Sequence, residues 1–282
     1  MFCFGLGDTA CAWAEALAHD GWSVAGTVRG AAKQAELAAR GWTVHRFDDE
    51  TPLPGEALPG STHVLVSIPP GEAGDPVLEG CLPALRAAAP AWIGYLSSTG
   101  VYGDHAGAWV DEDAPLHPAS SARGQRRQRA EARWRELAGA LPIHVFRLAG
   151  LYGPGRNALL RVQAGHARRL DKPGHVFSRV HRADVLQVLD ASVASPRPGA
   201  VYNVADRLPA PAHEVTAYAC ELLGLEPPPL EPFDAAEVSP ALAGFYADSK
   251  RVLAERILRE LGVELRFPTY REGLRALADA LG

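Results

Sequence analysis

Apolar residues fall in short unbroken runs separated by stretches of helical period. Residues 2–4, 22–28, 42–47, 63–68, 92–96 and 143–148 are such runs, each of strand length. They are apolar at consecutive rather than alternate positions, the pattern of strands covered on both faces. After the first run, small and apolar residues at 10, 13, 14, 17 and 18 make one stripe of a helix that ends at Asp20-Gly21. Further helices are expected at 31–40, stopped by Gly41, at 77–88 despite Pro83, and after a long loop (99–120), running to Ala138. Strands alternating with helices of this length imply βαβ units and a doubly wound parallel sheet, an α/β fold.

Beyond Leu148 the pattern changes. Residues 149–180 are loop-rich and basic, 184–194 are helical, 200–204 read as one more strand and 212–223 as a helix. A proline-rich link at 226–232 leads to two closing helices, 249–261 and 270–281. This tail can add little to the sheet, so it is expected to form a smaller lobe over the C-terminal ends of the strands, where open α/β sheets bind ligands. The expected division is a dinucleotide-binding domain at 1–150, with 180–204 contributing, and a substrate lobe of 151–179 and 205–282.

Composition removes several alternatives. With 47% hydrophobic and 22% charged residues the chain is an ordinary soluble one. A net charge of -5 gives no reason to expect nucleic acid, and the arginine-rich run 123–135 reads as a solvated helix face. No apolar run approaches the ~18–20 residues of a membrane helix. A chain that enters a strand directly, with no basic leader, is expected in the cytoplasm. Cys3, Cys11, Cys81 and Cys220 have no metal-ligand spacing and read as reduced thiols, so neither disulfide nor metal is expected. Only residues 1–4 precede Gly5, a short first strand that is either tolerated or reflects a start site further upstream.

The chemistry begins at that strand's end, in Gly5-Leu6-Gly7-Asp8-Thr9-Ala10. Gly5 permits a tight turn, Gly7 has no side chain to block a phosphate, and Ala10 lets helix and strand pack closely. The N–H groups of the helix start then face an anion. Alone the pattern is weak; after the first strand of a doubly wound sheet it is strong. An NAD-binding site would place an acid at the end of the second strand to hold the ribose 2′-hydroxyl. Here that strand ends in Arg29, with Lys33 one turn on, which favours the 2′-phosphate of NADP over NAD. Asp48 ends the third strand beside the expected adenine, and Ser67-Ile68-Pro69 ends the fourth along the cofactor's middle.

The fifth strand runs into Leu96-Ser97-Ser98-Thr99-Gly100-Val101-Tyr102-Gly103-Asp104. Here, and again in residues 147–156 (RLAGLYGPGR), 180–184 (VHRAD), 201–206 (VYNVAD) and 250–252 (KRV), the chain resembles the extended short-chain dehydrogenase/reductase superfamily, the NAD-dependent epimerase/dehydratase family. The matches occur in family order and span nearly the whole chain. The resemblance implies a Rossmann-type domain with a small C-terminal substrate lobe. It also implies a hydroxyl that hydrogen-bonds the substrate oxygen, at Ser98, and a Tyr-x-x-x-Lys pair on the next helix. Aligning Ala130-Glu131 puts Arg123 in the tyrosine slot and Arg127 in the lysine slot; Ser121 with Gln125 is an alternative that fits the flanks less well. The chain therefore looks like an atypical subgroup without the catalytic pair. Gly150, included with the cofactor residues, stands where nucleotide-sugar epimerases typically carry an asparagine that holds the substrate, which weakens that assignment.

Arginine stays protonated at any working pH, so Arg123 cannot be a reversible acid/base. Two readings follow. One is an NADP-dependent oxidoreductase or epimerase on a small polar substrate: Ser98 and Thr99 orient a carbonyl or hydroxyl, Arg123 stabilises developing negative charge, and Arg127 offers a cation to the cofactor's ribose. The proton comes from Tyr102, His105, His117 or water. The other is an NADP-binding sensor or regulatory partner without catalysis. The expected partner is a small-molecule substrate, and a homodimer is left open.

Overall fold

The computed structural model describes residues 1–282 except 49, 59, 235 and 282. The chain begins β1 (Phe2–Phe4), α1 (Asp8–His19), β2 (Ala25–Val28), α2 (Ala31–Ala38), β3 (Thr43–Arg46), β4 (His63–Val66), α3 (Pro76–Gly80), α4 (Leu82–Ala88) and β5 (Trp92–Ser98). A 3-10 turn (Thr99–Tyr102), β6 (Trp109–Val110), α5 (Ala122–Glu136), β7 (Ile143–Leu148), β8 (Gly150–Tyr152), α6 (Ala158–Gln163) and β9 (Arg169–Asp171) follow. Next come β10 (Arg179–His181), α7 (Arg182–Ala194), β11 (Val201–Val204), α8 (Ala212–Leu223) and β12 (Leu230–Pro232). The chain closes with α9 (Pro240–Phe245), β13 (Arg251–Val252), α10 (Glu255–Leu261) and α11 (Tyr270–Asp279).

Seven strands form one parallel sheet in the order β11-β7-β5-β4-β1-β2-β3, a Rossmann-type doubly wound α/β fold. The three-residue β1 is not at its edge. It pairs with β2 and β4 on either side, Cys3 lying opposite Gly26 and Leu65. Every residue of β1 is buried, which is why its run is apolar without alternation.

The structure differs from the sequence pattern in three places. Residues 77–88 are two helices, α3 and α4, because Pro83 lacks an N–H; the chain breaks at Cys81 and restarts with the proline in the first turn. The loop-rich stretch 149–180 holds β8, β9 and β10, which pair with short partners in two-stranded sheets. The helix expected from 249 begins only at Glu255. Asp104 accepts the Ser249 N–H, and the Ser249 carbonyl accepts from His105 and Gly107, so the backbone there stays extended and β13 pairs with β6.

Two compact units make up the chain. The first is Met1–Ser97, Arg126–Phe146 and Ser192–Val201, with a core that includes Phe2, Phe4, Val64, Ile93, Tyr95 and Trp134. The second is Ser98–Gln125, Arg147–Ala191 and Tyr202–Gly282, packed around Tyr152, Leu159, Val215, Tyr218, Tyr270 and Leu274. In that core Gly273 is required, because a Cβ there would lie 2.1 Å from the Tyr152 hydroxyl. Among the described residues no helix is long and apolar enough to cross a membrane, and no group of His, Cys, Asp and Glu could hold a metal ion.

Candidate functional site

In the first unit the glycine turn is held by the two strands that flank β1. Gly5 has φ +88°, a conformation an L side chain rarely adopts. Its N–H donates to Thr27 Oγ1 at 2.9 Å, and the next N–H, of Leu6, to the Thr27 carbonyl at 2.8 Å. Ser67 Oγ donates to the Gly5 carbonyl at 2.5 Å. A Cβ on Gly5 would meet Ile68 Cγ1 at 2.8 Å. The structure thus brings Gly5, Ser67 and Ile68 together, with exposed Pro69 beyond them. Gly7 is the opposite case: no heavy atom lies within 4 Å of where its Cβ would be. It is the N-cap of α1, no side chain caps the helix, and Cys11 N–H is the donor that reaches Gly7 O, at 2.8 Å. The N–H groups before Cys11 have no intrahelical acceptor. Ala10 is buried, as close packing requires, while Asp8 is exposed and Thr9 half-buried. An unblocked backbone at the start of a twelve-residue helix fits a phosphate of a bound dinucleotide.

Around the end of β2 the charges sort themselves. Arg29 is exposed and has no ion pair among the described residues, whereas Lys33 is engaged by Glu36 at 3.0 Å. Asp48 bridges to Thr51, and a hydrogen bond from the Thr51 side chain, together with the Glu50 N–H and Arg46, holds its carboxyl below the usual range. That leaves Arg29 as the uncommitted cation.

Arg127 does not lie on the surface. Only 9% exposed, it donates to the Tyr95 hydroxyl at 2.9 Å and the Leu96 carbonyl at 3.0 Å, with its guanidinium 5.6 Å from the Tyr95 ring centroid. One turn on, buried Glu131 accepts from Ser97 Oγ at 2.5 Å. Residues i and i+4 of α5 therefore both grip the end of β5. Nearby, Asp75 caps α3 and accepts from Trp134 Nε1, and burial raises its carboxyl. Glu131 and Asp75 were not identified from sequence; Asp75, directly before Pro76, carries the signal of a helix N-cap, whereas Glu131 lies in an arginine-rich helix and takes its partner from distant β5.

In the second unit Ser98 caps the 3-10 turn. Its Oγ accepts from Gly100 N–H at 3.1 Å, which commits a lone pair and leaves the O–H as a donor. Thr99 Oγ1 has no hydrogen-bond partner among the described residues. Gly124, in the first turn of α5, lets the helix pass close: a Cβ there would lie 2.6 Å from Ala119 Cβ and 3.4 Å from the Gly100 carbonyl. Arg123, beside it, is exposed and has no ion pair among the described residues. Ser121 Oγ accepts from Gly124 N–H at 3.0 Å and so caps the helix, a role that occupies the residue of the alternative alignment.

Tyr102 is fully buried. Its hydroxyl donates to Asn203 Oδ1 at 2.7 Å and accepts from buried Arg147 at 2.8 Å, and burial pushes its pKa up. Gly150 N–H donates to the Ser178 carbonyl at 3.0 Å, and a Cβ there would sit 3.1 Å from that oxygen, so an asparagine would require a backbone shift. Asn203 and Arg147, which anchor Tyr102, were not identified from sequence, where they stood only as parts of longer motifs.

No family model matches the chain. Among solved structures it is similar to a functionally unknown conserved protein from Silicibacter pomeroyi DSS: 47% identity, 99% of this chain and 98% of that one, TM-score 0.90. It also resembles the NAD complex of dTDP-glucose 4,6-dehydratase from Bacillus anthracis str. Ames, at 16% identity, 99% of this chain and 94% of that one, TM-score 0.76. At that identity the likeness is one of fold. Protein YeeZ of Escherichia coli (strain K12) is 32% identical over 179 residues, which span 62% of this chain and 58% of the relative's length.

Proposed function

The chain belongs to the family of the conserved Silicibacter pomeroyi protein, whose function is unknown, and from the geometry above we propose that it binds NADP(H) and acts as an oxidoreductase or epimerase on a small polar substrate. The observation that carries this reading is the Gly5–Gly7 turn: Gly5 is locked by Thr27 and Ser67, while the Cβ direction of Gly7 points into open space. Nucleotide-sugar dehydratases of the same fold bind NAD. Here uncommitted Arg29 favours the phosphorylated ribose, because a guanidinium pairs with phosphate through two parallel hydrogen bonds. The nicotinamide would supply hydride chemistry. Ser98, with its O–H free to donate, orients a carbonyl or hydroxyl oxygen with Thr99, and Arg123 stabilises charge that develops there. Tyr102 serves this reading by fixing the turn, since both Asn203 and Arg147 engage its hydroxyl.

Titration of the wild type with NADPH and NADH tests the cofactor, with NADPH expected to bind more tightly; equal or tighter NADH binding sinks the Arg29 argument. A panel of carbonyl compounds, followed by NADPH oxidation, tests the chemistry. If Ser98→Ala and Arg123→Ala both leave an observed turnover intact, the site is misplaced. A second reading, a non-catalytic NADP(H) sensor, is favoured by one observation: Arg127, in the lysine slot, is committed to Tyr95 and Leu96. It predicts tight NADPH binding with no turnover on any member of the panel.

A further inference from the structure

On the second unit, residues 155–166 enclose a cleft of about 240 Å³. Arg156, Arg161 and His166 line it together with Asn157, Leu160 and Ala164, and no carboxylate does. The segment is tied down locally. Gly153 and Arg156 exchange backbone hydrogen bonds at 2.9 and 3.1 Å across a turn in which Gly155 takes φ +78°. Asn157 joins that turn to α6, accepting from Leu160 N–H at 3.0 Å and donating to the Gly153 carbonyl at 2.9 Å. Past the helix, His166 N–H folds back onto the Arg161 carbonyl at 2.9 Å. Cationic or donor side chains from the turn, the helix and the following loop are therefore carried on one braced segment.

Among the described residues no carboxylate pairs with either arginine. Several exposed arginines elsewhere are paired, Arg40 with Glu15 and Glu36, Arg133 with Glu79, and Arg168, two residues beyond His166, with Glu231 at 2.6 Å, whereas Arg29 and Arg123 are not. Arg156 and Arg161 have no ion pair among the described residues. Two guanidiniums facing one cleft repel each other and offer planar sets of N–H donors with no acceptor; Leu160 and Ala164 supply apolar surface that strengthens any charge interaction made there. The geometry points to a binding site for a phosphate group, held by Arg156 and Arg161 with His166 as a further donor, independent of the dinucleotide reading. The phosphate is either free or the end group of an organic ester.

The test is a residue-resolved NMR titration of the full chain with inorganic phosphate, with sodium chloride at matched ionic strength as the reference. Saturable shifts at 155–166 are expected. The double variant R156A/R161A should weaken binding by at least about tenfold, the loss of a charge-assisted hydrogen bond or more. R156E/R161E should abolish it, and R168A, outside the cleft and paired to Glu231, should leave it unchanged. Both arginines are exposed, so the variants are expected to fold, and unchanged melting confirms that. Methyl phosphate distinguishes the sources: tighter binding than phosphate marks an ester, weaker binding the free ion. Unsaturable shifts, or an unchanged affinity in both double variants, overturn the proposal. Shifts confined to residues 5–10 also overturn it and instead bear on the glycine turn.

Discussion

Two turns carry the candidate chemistry, and they are made differently. The Gly5–Gly7 turn of the first unit is a backbone device: what matters is a positive φ, a missing Cβ and main-chain N–H groups. The Ser98–Gly103 turn of the second unit is a side-chain device, in which Ser98 caps the turn and Tyr102 is moored to Asn203 and Arg147. A backbone device depends on a few small residues at fixed spacing, so its ligand can be read from a short motif. A side-chain device takes its chemistry from whichever residue stands at each slot. The reaction therefore cannot be carried over from the fold.

The largest effect expected is on stability, at Arg127. Replacing it by Ala leaves the Tyr95 hydroxyl and Leu96 carbonyl without their donor inside the first unit, at a cost of about 2–4 kcal/mol in urea unfolding. Arg123→Ala should stay within about 0.5 kcal/mol. If the two cost the same, the distinction between a buried clamp and a surface cation fails.

Acid–base behaviour of the second unit comes next. Asp206 is fully buried, and burial raises its carboxyl to about 7 against the attraction of Arg179, with Asp184 and Glu272 adding repulsion. Because the folded state holds this proton more tightly than the unfolded chain, the Asp206 contribution favours folding at low pH and is lost as pH rises from about 4 to about 7. His175 and His181, lowered by burial to about 4, act in the opposite sense. Comparing wild type with Asp206→Asn cancels them. The stability difference should change by about 1.4 kcal/mol per pH unit across that window; a difference independent of pH rules this out.

Gly7→Ala sharpens the contrast at the glycine turn itself. Nothing surrounds its Cβ position and its φ is -81°, so melting should be unchanged while NADPH affinity falls about tenfold or more, as a methyl group obstructs the phosphate. Gly5→Ala should instead lower stability, by about 1–3 kcal/mol for the left-handed conformation alone. Arg29→Ala is the smallest effect expected on cofactor binding: NADPH affinity drops about tenfold with NADH affinity unmoved. Parallel loss of both cofactors would show that Arg29 does not read the 2′-phosphate.

Much of the first unit was legible in the sequence, because consecutive apolar positions and strand–helix alternation leave few ways to cover a sheet. The glycine turn was legible for the same reason: only a glycine tolerates Gly5's φ and its closeness to Ile68. Less could be read of the second unit. Its short paired strands β8, β9 and β10 are three residues each, too brief to show a period. Long-range bonds such as Asp104 to Ser249 decide where its last helices begin.

By itself, then, the sequence determined the parallel sheet and the place of the glycine turn on it. Local spacing and residue size are enough for those. Only the tertiary structure decided that Arg127 turns inward to Tyr95, that Lys33 is taken by Glu36 while Arg29 is not, and that Ser98 keeps a donor. The physical reason is that a charge or hydroxyl is defined by its partners, and those partners lie far along the chain or one helical turn away on a face the sequence alone does not orient.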